Sequence, residues 1–138
     1  MTVAYLTAPD IAAMAPQARA LLINSLPGYK SAMLVGTCDA KGQTNLAIVS
    51  SHFHLGSNPP LLAMILRPST GNSERHTLHN LLETQYWTLN GFSLDDAAQA
   101  HQTSAPYPKT QSEFDACDFM AEWLNEFGAP FVKDAPLQ

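Results

Sequence analysis

The stretch Gly36–Asn80, GTCDAKGQTNLAIVSSHFHLGSNPPLLAMILRPSTGNSERHTLHN, decides how the rest of the chain is read. Ser31 to Cys38 alternates as a strand does. Asp39-Ala40-Lys41-Gly42 then makes a turn whose glycine can take positive φ, and Gln43 to His52 returns as a second strand, completing a hairpin. A period of two along that second strand puts Leu46 and Ile48 on one face and Asn45, Ala47, Val49 and Ser51 on the other. One face suits a core and the other something less bulky. Asn58-Pro59-Pro60 breaks the chain, and the continuous apolar run Leu61 to Leu66 reads as a buried strand. The polar, hydroxylated segment Arg67 to Arg75 opens a helix from about His76 to Thr84. That helix is amphipathic, with Leu78, Leu81 and Leu82 on one face and His76, His79, Asn80 and Glu83 opposite.

Upstream, residues 1–30 are rich in Ala and Leu and read as a helical segment. Asp10 is placed to cap it, Pro16 suits a first turn leading through Leu21 and Leu22 to about Ser25, and Pro27-Gly28 ends it. Downstream, Tyr86 to Asn90 has the aromatic and β-branched content of a strand, and Ser93-Leu94-Asp95-Asp96 is a capped start for a helix to about Gln102. Ser104 to Gln111, with Pro106 and Pro108, is a loop. Short helices are expected at Ser112 to Cys117 and near Met120 to Phe127, followed by a strand at Phe131-Val132. There is no internal repeat, low-complexity tract or linker, so a single domain over 1–138 is expected.

The totals narrow the function. With 138 residues and 46% hydrophobic content, a compact fold can bury a real core. A net charge of −5, with seven Lys and Arg in all, argues against nucleic-acid binding. Met1 to Ser25 lacks the basic and apolar regions of a signal peptide, and no apolar run reaches spanning length, so a cytoplasmic protein with no membrane partner is expected. Cys38 and Cys117 lack CxxC spacing and read as reduced structural thiols.

Two segments could carry a ligand. In the loop from Arg67 to Arg75, Ser69, Thr70, Ser73 and Thr77 supply hydroxyls, Gly71 admits close approach of the backbone, and the helix start offers free N–H groups, a combination suited to a phosphate. The same residues also suit a solvated loop with Asn72 or Ser73 as the helix cap. Along the strand, Ala47, Ser50 and Ser51 are small enough to bring backbone groups close to a flat ring, yet alternating small residues also occur in ordinary strands. His52 with His54, and His76 with His79, lie at spacings a metal could use. No cysteine or carboxylate completes a set near them, so no metal is expected, and His54, His79 and His101 read as packing or surface residues. GxSxG, HExxH and GxGxxG are all absent.

The strand Asn45–Ser51, the turn Gly56–Pro60, the loop Arg67–Thr70 with His76–Asn80 after it, and the segment from Tyr107-Pro108 to Ser112-Glu113-Phe114 occur in an order and spacing that resemble the flavin reductase-like family, the FMN-binding split barrels. The resemblance implies a mainly β fold with peripheral helices, a split β-barrel that dimerises and binds FMN near the subunit interface, with NADH or NADPH as electron donor. It carries over Asn45, Ala47, Ser50, Ser51 and His52 as flavin contacts. Arg67, Ser69, Thr70, Ser73, His76 and Thr77 become phosphate and ribityl contacts, joined by Asn80 and Asn90. No catalytic side chain is implied, because the flavin supplies the reactive atom. Family members continue past the point matching Val132 with strands that close the barrel, so a barrel lacking its C-terminal strands is expected, in a fragment or a shortened relative. Three functions stay open: an NAD(P)H-dependent flavin reductase, possible supplier of a flavin-dependent oxygenase; an FMN-binding electron carrier without reductase activity; and an incomplete domain that only dimerises.

Overall fold

The computed structural model describes residues 5–69, 74–124 and 126–138. The chain forms two compact units, residues 1–31 and 32–138. In the first, α1 (Ala8–Ala13) is followed by α2 (Pro16–Ser25). The cap of α1 is Thr7 rather than Asp10: Asp10 N–H donates to Thr7 Oγ1 at 3.3 Å, and Asp10 Oδ2 accepts from Thr7 N–H at 2.8 Å. Asp10 therefore sits in the first turn as the reciprocal half of a capping box. Proline opens α2 as its fixed φ favours, and Arg19 Nη1 donates to Ala12 O at 3.0 Å, tying the two helices together.

The second unit holds β1 (Met33–Cys38), β2 (Thr44–Val49), β3 (His52–Ser57), β4 (Pro60–Met64), α3 (His76–Thr84), β5 (Thr88–Asn90), α4 (Ala97–Gln102), α5 (Glu113–Ala116), β6 (Ala121–Glu122) and β7 (Phe131–Val132). β1 and β2 form the expected hairpin, in antiparallel register from Met33 opposite Val49 to Cys38 opposite Thr44, and Gly42 turns it at φ +84°. β5 pairs with the other side of β1, giving the order β2-β1-β5, while β3-β4 and β6-β7 are separate two-stranded sheets. Among the described residues no sheet closes into a barrel. All six residues of β1 are buried. A side chain at Gly36, in its middle, would strike Pro130 O and stand 2.6 Å from Thr88 Oγ1, so close backbone approach requires glycine there.

The two faces of this sheet bury different chemistry. Leu34 and Leu46 pack with Ala100, Phe114 and Val132 in an apolar core to which Ile48, Phe92 and Phe119 add. The opposite face is polar, and α3 lies on it. Thr77, Asn80 and Thr84 form the inward line of α3, whereas Leu82 is 74% exposed. The expected Leu78–Leu81–Leu82 face is thus not the one that docks. Thr37, Asn45 and the Cys38 carbonyl need hydrogen-bonding partners, and a helix presenting hydroxyls and amides satisfies them.

β2 is an edge strand, yet its outward groups are satisfied. Leu46 N–H donates to Glu113 Oε2 at 3.0 Å, Ile48 N–H donates to Thr103 Oγ1 at 2.9 Å, and Thr44 Oγ1 shares a 2.7 Å hydrogen bond with Ser112 Oγ. At these positions side chains from the α4–α5 region take the place of a neighbouring strand.

Two further expectations are corrected. The run Leu61 to Leu66 is not buried within this chain: Leu62 is 57% and Ile65 62% exposed, because β4 pairs only with β3 and an apolar run can be buried only where a surface covers it. The described residues of the segment Met120–Phe127 are not helical. Ala121 and Glu122 pair with Val132 and Phe131, and Lys133 N–H donates to Met120 O at 2.9 Å, so strand pairing takes the backbone groups a helix would need.

Candidate functional site

The start of α3, the start of β2 and the 109–113 segment enclose a small, partly open cleft with a cavity volume of about 10 Å³, room for about one water molecule. It is lined by Gln43, Thr44 and Asn45 from the strand, His76 and Asn80 from the helix, and Lys109, Gln111 and Glu113 from the segment before and into α5. Three of the predicted site residues, Asn45, His76 and Asn80, therefore meet here, and a fourth, Thr77, lies beneath them. Asn45 Nδ2 donates to Thr77 Oγ1 at 3.0 Å and to Thr37 Oγ1 at 3.3 Å; Asn80 Nδ2 donates to Thr37 Oγ1 at 3.2 Å. Asn80 is 2% exposed, and its Oδ1 has no hydrogen-bond partner among the described residues. A buried acceptor without a protein donor is a place where a donor from outside the chain would be stabilised.

Glu113 forms the opposite wall and is 6% exposed. Burial pushes its carboxyl above the usual carboxylate range, an effect opposed by the Leu46 N–H and by the nearby His76. His76, 14% exposed in its side chain, has Nε2 3.7 Å from Glu74 Oε2. At the cleft's rim Lys109 Nζ lies 3.3 Å from Asp39 Oδ2. Asp39 in turn accepts from the N–H groups of Gln43 at 2.9 Å and Lys41 at 3.0 Å, and these bonds with Lys109 hold its carboxyl below the usual range, against the opposing effect of burial. One polar rim thus joins the β1–β2 turn to the wall of the cleft.

The other predicted residues scatter. Ala47 is half-buried further along β2. Ser51 closes the base of the β3–β4 hairpin, its Oγ donating to Ile65 O at 2.8 Å while Ile65 N–H donates to Ser51 O at 3.0 Å. Ser50 is exposed, His52 half-buried on β3, and Arg67 and Ser69 exposed on the loop after β4. Thr70 and Ser73 lie outside the described residues. Asn90 is tied into the core: Nδ2 donates to Leu34 O at 3.2 Å and Thr88 Oγ1 at 2.9 Å, and Oδ1 accepts from Val132 N–H at 3.0 Å. Its side chain is engaged in joining β1, β5 and β7. Burial raises the thiols of Cys38 and Cys117 above the ordinary range, so neither is a ready thiolate.

Glu113, Lys109 and Gln111 were not foreseen as site residues. Glu113 stands in the Ser112-Glu113-Phe114 segment, where a serine followed by an acid signals only a helix start; its contact with Leu46 spans 67 positions and leaves no local mark.

The fold agrees with the comparisons to known proteins. The flavin reductase like domain profile matches residues 26–138, and the chain belongs to that family. Its architecture is the flavin reductase-like split-barrel fold. A candidate flavin reductase with split barrel domain from Shewanella frigidimarina is 46% identical, with a TM-score of 0.86 over 96% of this chain and 65% of that one. Nitrilotriacetate monooxygenase component B from Bacillus cereus superposes with a TM-score of 0.84 at 18% identity, over 98% of this chain and 65% of its own. An FMN-binding domain of a flavin reductases-like enzyme from Shewanella baltica gives 0.60 at 15% identity, over 75% and 52%. This chain thus spans about 65% of the length of the first two. The comparison with curated proteins finds no match.

Proposed function

We propose that the protein binds FMN and acts as an oxidoreductase that takes reducing equivalents from NADH or NADPH. The observation that carries this reading is the acceptor left open on Asn80 in a polar cleft, within a chain whose family profile is that of flavin reductases. The residues fit such a ligand in their chemistry: amides, a hydroxyl and charged groups meet at one cleft, Ala47 is a small residue on β2, and Arg67 and Ser69 are exposed on the loop after β4, where a phosphate could meet them. When bound, the flavin would supply the hydride-accepting atom, and the protein would supply orientation. Asn45, Asn80 and His76 would hold the ligand, while Glu113 fixes the strand carrying Asn45 and Ala47.

On this reading the protein works in the cytoplasm, where the buried free thiols Cys38 and Cys117 stay reduced. Like a monooxygenase component, it could hand reduced flavin to an oxygenase, a partner suggested by the name of the Bacillus cereus relative. A second copy of the chain is proposed to cover the exposed apolar side chains Leu55, Leu61, Leu62 and Ile65 of the β3–β4 hairpin as a two-fold dimer. Sedimentation across a concentration series reads this directly, and a monomer at every concentration would refute it. The reaction is tested by recording the absorption spectrum of the purified protein with FMN and then adding NADH or NADPH anaerobically. Bleaching supports the reductase. A flavin spectrum that persists indicates a carrier, and failure to take up FMN leaves an incomplete dimerising domain.

A further inference from the structure

We propose that the two-helix arm α1–α2 is an exchange element: it lies on the β3–β4 hairpin of a second copy of the chain, whose own arm lies on this chain's hairpin. The proposal rests on the two-fold dimer reading and names the part of the second copy that covers the hairpin. Its first basis is the arm itself. α1 has six residues and α2 ten, both shorter than the roughly 12–15 residues below which an isolated helix is marginal in water. Neither helix has a buried residue. α2 carries Leu21, Leu22 and Ile23 at consecutive positions, with Leu26 at its C-cap, so apolar side chains leave it on several sides, the pattern of a helix that is covered. Yet Leu21 and Leu26 are each 68% exposed, and Ile23 and Tyr29 are exposed with them.

The second basis is the match between the two surfaces. On the hairpin, Phe53 stands opposite Ala63, and Leu61 and Ile65 lie two positions to either side of Ala63, so Phe53, Leu61 and Ile65 share a face, and all three are exposed. The sequence holds no Asp, Glu, Lys or Arg from Gly42 to Leu66, and only Asp10 and Arg19 between Tyr5 and Tyr29. Both of those are engaged locally: Asp10 Oδ2 accepts from Thr7, and Arg19 Nη1 donates to Ala12 O. Contact between arm and hairpin therefore removes apolar area from water without burying an unpaired charge. Hairpin-to-hairpin pairing would cover one of these surfaces and leave both arms in water. Reciprocal exchange covers both, and two-fold symmetry makes the two contacts identical. An arm suited to a membrane surface would carry a basic polar face, whereas the one basic residue between Tyr5 and Tyr29 is Arg19, already held by a carbonyl.

The test uses the full chain. Cys38 and Cys117 are buried, so thiols introduced on the surface react selectively. Leu21→Cys and Leu61→Cys are made as separate chains, mixed at low concentration so that copies exchange, concentrated, and joined with a short bis-maleimide. Mass spectrometry is expected to find a covalent pair holding one copy of each, in higher yield than either variant gives alone. In sedimentation, Leu21→Glu combined with Leu26→Glu should raise the dimer dissociation constant about a hundredfold, about tenfold for each leucine. Leu94→Glu, at a leucine 94% exposed in the turn before α4, should leave it unchanged. A dimer that joins Leu61→Cys only to Leu61→Cys, and that does not respond to the arm variant, would overturn the exchange and leave the dimer standing. So would a Leu21→Cys, Leu61→Cys double variant that links only within one copy. Wild type that binds vesicles of phosphatidylcholine and phosphatidylglycerol through Leu21 and Leu26, with the dimer unaffected by their replacement, would assign the arm to a lipid surface instead. A monomer at every concentration would overturn the exchange together with the dimer reading.

Discussion

Replacing Glu113 separates its two roles, as acceptor for a backbone donor and as a buried charge. In Glu113→Ala the Leu46 N–H, at the centre of β2 and beside the core leucine, loses the acceptor that stands 3.0 Å away. An unsatisfied buried donor costs about 1–3 kcal/mol. With roughly 4 °C of melting temperature per kcal/mol in a chain of this size, a fall of roughly 4–12 °C is expected. Glu113→Gln keeps a carbonyl oxygen for the same N–H and removes the charge. Because burial raises the carboxyl's folded-state value above its ordinary one, the folded protein holds this proton more tightly than the unfolded chain does. Glu113 therefore lowers stability as pH rises from the ordinary value near 4.5 through the raised one. Wild type and Glu113→Gln should converge in acid, and the glutamine variant should equal or exceed wild type at pH 7. Urea unfolding followed by circular dichroism across that pH range reads both effects. Equal stabilities for the alanine and glutamine variants at every pH would refute the acceptor role, and a wild type that gains on Glu113→Gln as pH rises would refute the sign of the charge effect.

Gly36→Ala should destabilise the second unit by about 3 kcal/mol, because its methyl group would meet Pro130 O and lie 2.6 Å from Thr88 Oγ1; a shift in the urea midpoint measures it. Asn90→Ala removes three hydrogen bonds that join β1, β5 and β7 and should cost about 2–4 kcal/mol, while riboflavin affinity of the folded fraction stays near that of wild type. Asp39 has a folded-state carboxyl value below its ordinary 3.8, so it contributes stability above that pH which is lost as pH falls through the lowered value. Asp39→Asn should remove this part of the acid sensitivity, read by acid unfolding. Arg67→Ala should weaken FMN by about tenfold and leave riboflavin unchanged, since only FMN carries the phosphate; equal losses for both ligands would remove Arg67 from the phosphate role.

What could be read in advance was whatever depends on neighbours in sequence. The β1–β2 hairpin follows from alternation broken by Asp39-Ala40-Lys41-Gly42, and α3 begins and ends where its periodicity does. Leu46 and Ile48 face the core because a period of two allows nothing else once one of them is buried. The inward face of α3 was misread because hydrophobic periodicity assumes an apolar surface to receive a helix, and here Thr37 and Asn45 make that surface polar. The burial of Leu61–Leu66 was misread because an apolar run is buried only where another element packs on it, and among the described residues β4 pairs only with β3. Asn45, His76 and Asn80, which the family pattern picks out, line one cleft. The cleft itself was not legible, since Lys109, Gln111 and Glu113 come from a segment more than 60 positions away from the strand they face.

That distant segment links the stability of the sheet to the chemistry of the cleft. Thr103, Ser112 and Glu113 together seal the open edge of β2, and Glu113 is also the cleft's buried acid. A chain that closed the same edge with another strand would satisfy the Leu46 and Ile48 N–H groups with backbone carbonyls, which carry no charge and cannot titrate. Closing it with side chains puts an ionisable group within the wall of a polar cleft, so any ligand that changes the charge around Glu113 must also change how firmly β2 is held. The coupling runs both ways by linkage: a ligand that favours the ionised carboxylate by donating to it lowers the stability cost of burying that charge. A group that withdraws a donor from that carboxylate does the reverse, so the requirement that keeps β2 in place and the charge state of the cleft wall are one physical condition.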